Sequence, residues 1–203
     1  MSPDGRSGAG IAPQPERTSD ASAAHYLRAV TRVDHDAVDA AFLRFSLQTR
    51  DGYRAFLTAH ARVLPVAERR LDPAFLTGDW HGRSEALRAD LADLGCAMPT
   101  EDALLLPTGE AARWGALYVL EGSRLGGAVL EKQVLTGLPT RFLGATHPHG
   151  AWRRFLDMLN AADTGPAWRA QAAEGAKALF GAYAVAAQTS SDGPLATAAM
   201  ERS

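Results

Sequence analysis

Two short tracts carry residues whose types and spacing could do chemistry. The first reads Leu27-Arg28-Ala29-Val30-Thr31-Arg32-Val33-Asp34-His35-Asp36-Ala37-Val38-Asp39. On a helix His35 lies about 60° from Val38, so it borders an apolar stripe and does not face open solvent. Asp39, four residues later, shares its face. A metal-binding imidazole usually donates its second ring N–H to a carboxylate, carbonyl or water, and Asp39 is spaced to accept it. Arg28, two turns earlier on that face, could hold the anionic edge of a bound molecule. The plainer alternative is a structural histidine beside the core with a surface His–Asp pair.

The second tract runs from Arg113 to Lys132 and contains Tyr118-Val119-Leu120-Glu121-Gly122-Ser123-Arg124-Leu125-Gly126-Gly127. Its apolar spacing is helical, yet three glycines sit in its interior, each costing about 1 kcal/mol relative to alanine. Gly122 and Gly126 are one turn apart and share a face, with Gly115 two turns before Gly122 on nearly the same line. A face stripped of side chains invites close approach to the backbone. The visitor is either a second helix or a planar ligand.

Elements that could position these tracts follow from periodicity and punctuation. Helices are expected over 22–45, with Val30, Val33, Ala37, Val38, Ala41 and Phe42 as a buried stripe, and over 51–70, with Asp51 as N-cap and a kink at Pro65. Residues 71–80 read as a loop, and 83–94 as a helix stopped by Gly95. The glycine-bearing helix should begin at Thr108, run to about Leu135 and end at Gly137. A loop over 138–150 carries His147-Pro148-His149, and helices follow over 151–162 and 166–187, the latter with Pro166 in its first turn. Residues 1–21 read as a disordered lead by composition, 22–190 as one helical domain, and 191–203 as a frayed tail.

Composition agrees with helix. Isoleucine occurs once, at Ile11, against abundant Ala, Leu and Arg, and no alternating β-branched run appears. The expected fold is all-α. A formal charge of -2 offers no basic surplus for nucleic acid. Cys96, the one cysteine, excludes an intrachain disulfide framework and a cysteine-based metal cluster. No apolar run reaches the roughly 18 residues of a membrane span, and no signal-peptide core is visible, so no membrane association and a cytoplasmic location are expected.

Together the two tracts resemble the haem oxygenase family. The family's first-helix pattern Thr-x-x-x-His, which supplies the proximal iron ligand, is matched by Thr31 and His35. Its distal Gly-x-x-x-Gly is matched by Gly122 and Gly126, and the tract from Tyr118 to Gly126 is similar to the bacterial, biliverdin-producing branch. The resemblance implies a single-domain haem-oxygenase-like helical bundle that cleaves haem with O2 and external electrons to biliverdin, Fe2+ and CO. It implies a ferredoxin or flavoprotein reductase as electron donor, and iron recovery or phytochrome chromophore supply as the purpose. Haem is then both cofactor and substrate, its iron held by His35. The catalytic set is Gly122, Ser123 and Gly126, and the haem-binding set adds Arg28, Thr31, Asp39, Tyr118, Gly127, Lys132 and Lys177. Arg28 matches the family's first-helix basic position toward the propionates, and Tyr118 a tyrosine that contacts them in bacterial members.

One departure stands out. Animal-type members place an Asp on the distal helix beyond the first glycine, whereas this chain has Ser123, Arg124 and Leu125 there and no carboxylate until Glu131. Proton delivery must then use carbonyls, waters or another side chain. The alternatives are a non-catalytic haem carrier or sensor, and a helical interaction module whose glycines only admit a neighbouring helix. His147 and His149 could bind metal adventitiously. His25, His60 and His81 read as structural or surface residues, and Cys96 lacks a base beside it, which disfavours a thiaminase-like thiol enzyme.

Overall fold

In the computed structural model, residues 22–73 and 80–191 are described, and they form eight helices with no strand among them. The lead over 1–21 and the tail beyond Ser191 lie outside the described residues, as does most of the loop over 71–80. No helix among the described residues is long and apolar enough to cross a membrane.

The single helix expected over 22–45 is two, α1 (Ala23–Val30) and α2 (Arg32–Phe42), meeting at Thr31. The hydrogen-bond ladder passes through the joint, with Thr31 N–H donating to Leu27 O at 3.0 Å and His35 N–H to Thr31 O at 2.9 Å. The Thr31 hydroxyl also donates to Leu27 O, at 2.8 Å. A carbonyl that serves two donors in this way bends a helix. The expected stripe is largely uncovered: Ala41 is buried, Val30, Val38 and Phe42 are half-buried, and Val33 and Ala37 are exposed. Part of the apolar face of α2 thus borders a cleft, not the core.

α3 (Arg50–Leu71) begins one residue earlier than expected because Thr49, not Asp51, is its N-cap, its side chain accepting from Gly52 N–H. The helix continues through the buried Pro65. α4 (Ser84–Asp93) is capped from outside, the Arg83 and Ser84 N–H groups donating to the Glu68 carboxylate of α3 at 2.6 and 3.2 Å. α5 (Glu110–Glu131) starts after Gly109, not at Thr108, and stops short of Leu135. A further turn, α6 (Arg141–Gly144), occupies the expected loop, held because the fully buried Asp90 carboxylate accepts from Arg141 N–H and Phe142 N–H. α7 (Ala151–Ala162) matches expectation, and α8 (Pro166–Ser191) continues past the expected end at Ala187.

α5 and α8 make the most extensive helix contact, with α2 and α3 also packed on α8. The crossing is built from matched small residues, Ala112, Gly115 and Ala116 against Ala172, Gly175 and Ala176. A Cβ on Gly115 would sit 1.7 Å from Ala172 O, and one on Gly175 would sit 1.9 Å from Ala112 O. Each glycine accommodates the other helix's backbone.

Candidate functional site

A cleft opens where α1 and α2 face α5, α7 and α8. It consists of an outer cavity of about 580 Å³ and an inner one of about 380 Å³. The two share His35, Tyr118, Leu125, Trp152 and Phe180 as walls, so one elongated ligand could occupy both.

Gly122 and Gly126 form part of the inner wall. A Cβ at Gly126 would meet nothing within 4 Å, and one at Gly122 would meet only the Trp152 ring, at 3.6 Å. No protein backbone presses on them, unlike Gly115. The sequence reading of a continuous bare line therefore needs correction: Gly115 belongs to the helix crossing, and only Gly122 and Gly126 face the cleft. Gly127 is also misassigned, because it is buried against α6, its Cβ position 3.1 Å from Leu143 O.

His35 lines both cavities. Its Nδ1 lies 3.3 Å from Asp39 Oδ2 and 4.0 Å from Asp36 Oδ1, while Phe180 meets the ring edge-on at 5.8 Å. With Nδ1 turned to a carboxylate, Nε2 is the nitrogen left for a ligand bond. Among the described residues no group of three or more His, Cys, Asp or Glu side chains could hold a metal ion. A single imidazole suits a metal that brings its other ligands with it.

Arg28 and Tyr118 meet in the outer cavity from opposite helices. Burial raises the Tyr118 phenol pKa, and the nearby Arg28 charge pulls the other way. Thr31 is buried with its hydroxyl spent on Leu27 O, so it shapes the α1–α2 bend and has no proton left for a ligand. Lys132 is exposed at the C-cap of α5, and Lys177 lies 3.4 Å from Glu174; neither lines the cleft.

The inner end is more polar than the sequence suggested. Ser123 Oγ donates to Leu120 O at 2.7 Å and accepts from Arg83 Nη2 at 2.6 Å. Burial and the neighbouring Arg124 lower the Arg83 pKa to about 10, which leaves the guanidinium charged at neutral pH. His60, ringed by Phe42, Phe56, Phe142 and Tyr183, is pushed down to about 3 by burial and by Arg83, so it is neutral. Burial raises the Tyr183 pKa and keeps its phenol protonated. His60 is thus a structural residue packed among aromatic rings, as one of its two expected readings had it, and it also lines the inner cavity. Arg83, Tyr183, Trp152 and Phe180 were missed because their partners lie on other helices, and local spacing carries no trace of such pairs.

No family model matches the chain. It is 37% identical over 142 residues to a heme oxygenase of Xanthomonas campestris pv. campestris (strain 8004), covering 64% of this chain and 85% of that protein. It is 35% identical over 112 residues to heme oxygenase PigA of Pseudomonas aeruginosa, covering 50% of this chain and 56% of that one. Its structure is similar to NO- and CO-bound heme oxygenase from Neisseria meningitidis, with a TM-score of 0.71 and 30% identity over 84% of this chain and 92% of the other.

Proposed function

The chain belongs to the haem oxygenase family, and from that premise we propose that it opens the haem ring with dioxygen to give biliverdin, Fe2+ and carbon monoxide. The observation that carries the reading is the space at Gly126, where a Cβ would meet nothing within 4 Å. A glycine kept for helix packing has backbone against it, as Gly115 does; a glycine kept for a ligand does not. The same cavity carries an imidazole whose Nδ1 is already turned to Asp39. Those features fit a flat macrocycle held by its metal.

Bound haem supplies the iron that activates dioxygen and the ring carbon that is oxidised. The chain's residues divide the remaining work. His35 Nε2 holds the iron, and Asp39 fixes the imidazole's orientation and raises its basicity through Nδ1. Arg28 and the Tyr118 hydroxyl receive the propionates at the outer end, where a guanidinium and a carboxylate make a charge-assisted pair. Gly122 and Gly126 keep the space beside the ring free of side chains. The Tyr183 hydroxyl is a proton-bearing group on the inner wall, whereas the Ser123 proton is already given to Leu120 O, so Ser123 holds the positively charged Arg83 beside that wall. Tyr183 is the side chain offered for proton supply in place of the carboxylate that the span from Gly122 to Gly126 lacks.

Electrons come from a ferredoxin or flavoprotein reductase in this reading, and the product serves iron recovery or a phytochrome chromophore. Purified protein given haemin, reductant and oxygen should lose its Soret band and gain a broad red absorption, and chromatography should resolve the biliverdin isomer formed. A ferric or oxygenated complex that persists through sustained reduction would instead mark a carrier or sensor. No feature of the cleft favours that reading over the enzyme. Failure of micromolar protein to shift the haem spectrum at all would overturn both.

A further inference from the structure

Beside the cleft, on another face of α5, lies a buried polar cluster with no part in the reading above. Glu121 directly precedes Gly122, and its side chain is only 5% exposed. Its carboxylate takes donors from two other segments: Trp80 Nε1–H at 2.9 Å and His147 Nε2 at 2.8 Å. Arg124, one turn on, places Nε 3.3 Å from the same carboxylate. Burial opposes ionisation of Glu121, but the His147 hydrogen bond, the Arg124 charge and the Trp80 hydrogen bond outweigh it and hold the pKa below the usual value. A buried carboxylate so satisfied resists losing any one donor.

His147 stands in the segment between α6 and α7, five residues before Trp152. Trp152 opens α7 and has three contacts relevant to the cleft. Its ring sits 3.6 Å from the Cβ position of Gly122, 5.8 Å between centroids from Tyr118, and 6.0 Å from the His147 ring. It also lines both cavities. The segment's second tie to α5 is looser, Arg124 Nη1 donating to Ala145 O at 3.3 Å. His147 is nine-tenths buried, and its Nδ1 is buried with no partner. Nε2–H donating to Glu121 leaves Nδ1 as a lone pair, which costs less to bury than an unpaired N–H. A cavity of about 140 Å³ beside it, lined by Trp80, Glu121, Arg124 and Met158, has room for water to serve that lone pair.

We infer that the His147–Glu121 hydrogen bond is a latch that seats the start of α7 on α5 and so sets Trp152 over Gly122. His147 is then a positioning residue: it touches no ligand and acts through the placement of the indole that narrows the cleft beside the glycines. A macrocycle in that cleft has its rotational position limited by Trp152 on one side and by the outer-end anchors on the other. The inference rests on the haem-cleaving reading for its consequence but not for its geometry. The latch exists in the protein alone.

Two variants of the full chain test it. His147→Ala removes the donor, whereas His147→Gln keeps an N–H at similar reach. Without haem, hydrogen exchange in peptides covering residues 145–162 should quicken about tenfold or more in His147→Ala, with α8 unchanged, and return near the parent rate in His147→Gln. With haem, the parent and His147→Gln should give one biliverdin isomer and His147→Ala a mixture. Unchanged exchange in His147→Ala, acceleration spread evenly over the chain, or a Gln variant indistinguishable from Ala would overturn the latch. Failure of the parent to cleave haem would overturn the functional reading and leave the exchange result standing.

Discussion

Two places on α5 use glycine for opposite ends, although Gly115 and Gly122 lie within about 20° of one another around the helix. At Gly115 the α8 backbone arrives so closely that even a methyl group would overlap Ala172 O, at 1.7 Å. At Gly126 a methyl group would touch nothing. The helix loses about 1 kcal/mol of propensity at each site. At the crossing that loss is recovered within the protein by backbone contact with α8; at the cleft nothing in the protein recovers it. An uncompensated cost in an otherwise consistent helix is where function is expected.

The crossing should be the less forgiving of the two. Gly115→Ala must push two helices apart, since the obstructing atoms are backbone and cannot swing away. Overpacking of this kind costs about 3 kcal/mol or more, which for a chain of this size lowers the melting temperature by roughly 6–12 °C. Thermal melting of protein without haem measures it. A Gly115→Ala protein that melts within a degree of the parent would erase the distinction between the two glycine sites.

The next largest effect falls on function alone. The His35 side chain is 57% exposed and packs only edge-on against Phe180, so His35→Ala should change the stability of haem-free protein by no more than about 0.5 kcal/mol. Losing the carboxylate behind a ligating histidine typically costs about 10–100-fold, and losing the ligand itself should cost about 100-fold or more in turnover. Electron paramagnetic resonance of the ferric complex should lose the histidine signature and regain it with added imidazole. An unaltered signature in the variant would move the ligand to another histidine.

Gly126→Leu sharpens the comparison at the open end. Haem-free protein should hold its stability or gain somewhat under about 1 kcal/mol, because leucine favours helix, its Cβ meets nothing within 4 Å and the rest of the side chain enters a cavity. Haem turnover should fall about tenfold or more as the branched side chain enters the inner cavity. Melting curves and single-turnover assays on this variant read both quantities. Cleavage at the parental rate and position would show that the space at Gly126 is not the space the reaction uses.

The helical class and much of the element order were legible because 3.6-residue periodicity and the stop at Gly95 are local signals, whereas α5 ends at Glu131, ahead of the expected stop at Gly137. The His35–Asp39 contact was legible for the same reason, both residues lying on one helix. Local reasoning went wrong wherever the deciding partner was remote. The stripe on α2 read as core because Val38 and Phe42 are apolar, yet what they border is a cleft. Gly115 and Gly122 share a line on α5, and only the path of α8 separates their roles. The α1–α2 bend depends on a hydroxyl choosing its own backbone, which Thr31 signals weakly. Arg83 and His60 reach the site from α3 and the start of α4, at distances in sequence that no spacing rule spans.

Acid offers the finest contrast between the two regions. The crossing is lined by Ala112, Gly115, Ala116, Ala172, Gly175 and Ala176, none of which titrates. The inner end of the cleft holds His60, whose pKa falls from 6.5 to about 3 through burial and the Arg83 charge. A depressed histidine means that the unfolded chain binds a proton that the folded one refuses. Stability from this source is complete above about pH 6.5 and drains away as pH falls toward 3. One pH unit below 6.5 the loss is about 1.4 kcal/mol, or roughly 3–6 °C of melting temperature. His60→Leu, which cannot take up the proton, should flatten the melting-temperature profile between pH 7 and 5.5 by that amount. Parallel profiles in parent and variant would show that His60 is not the acid-sensitive group, and that the open end is no more vulnerable to protons than the crossing beside it.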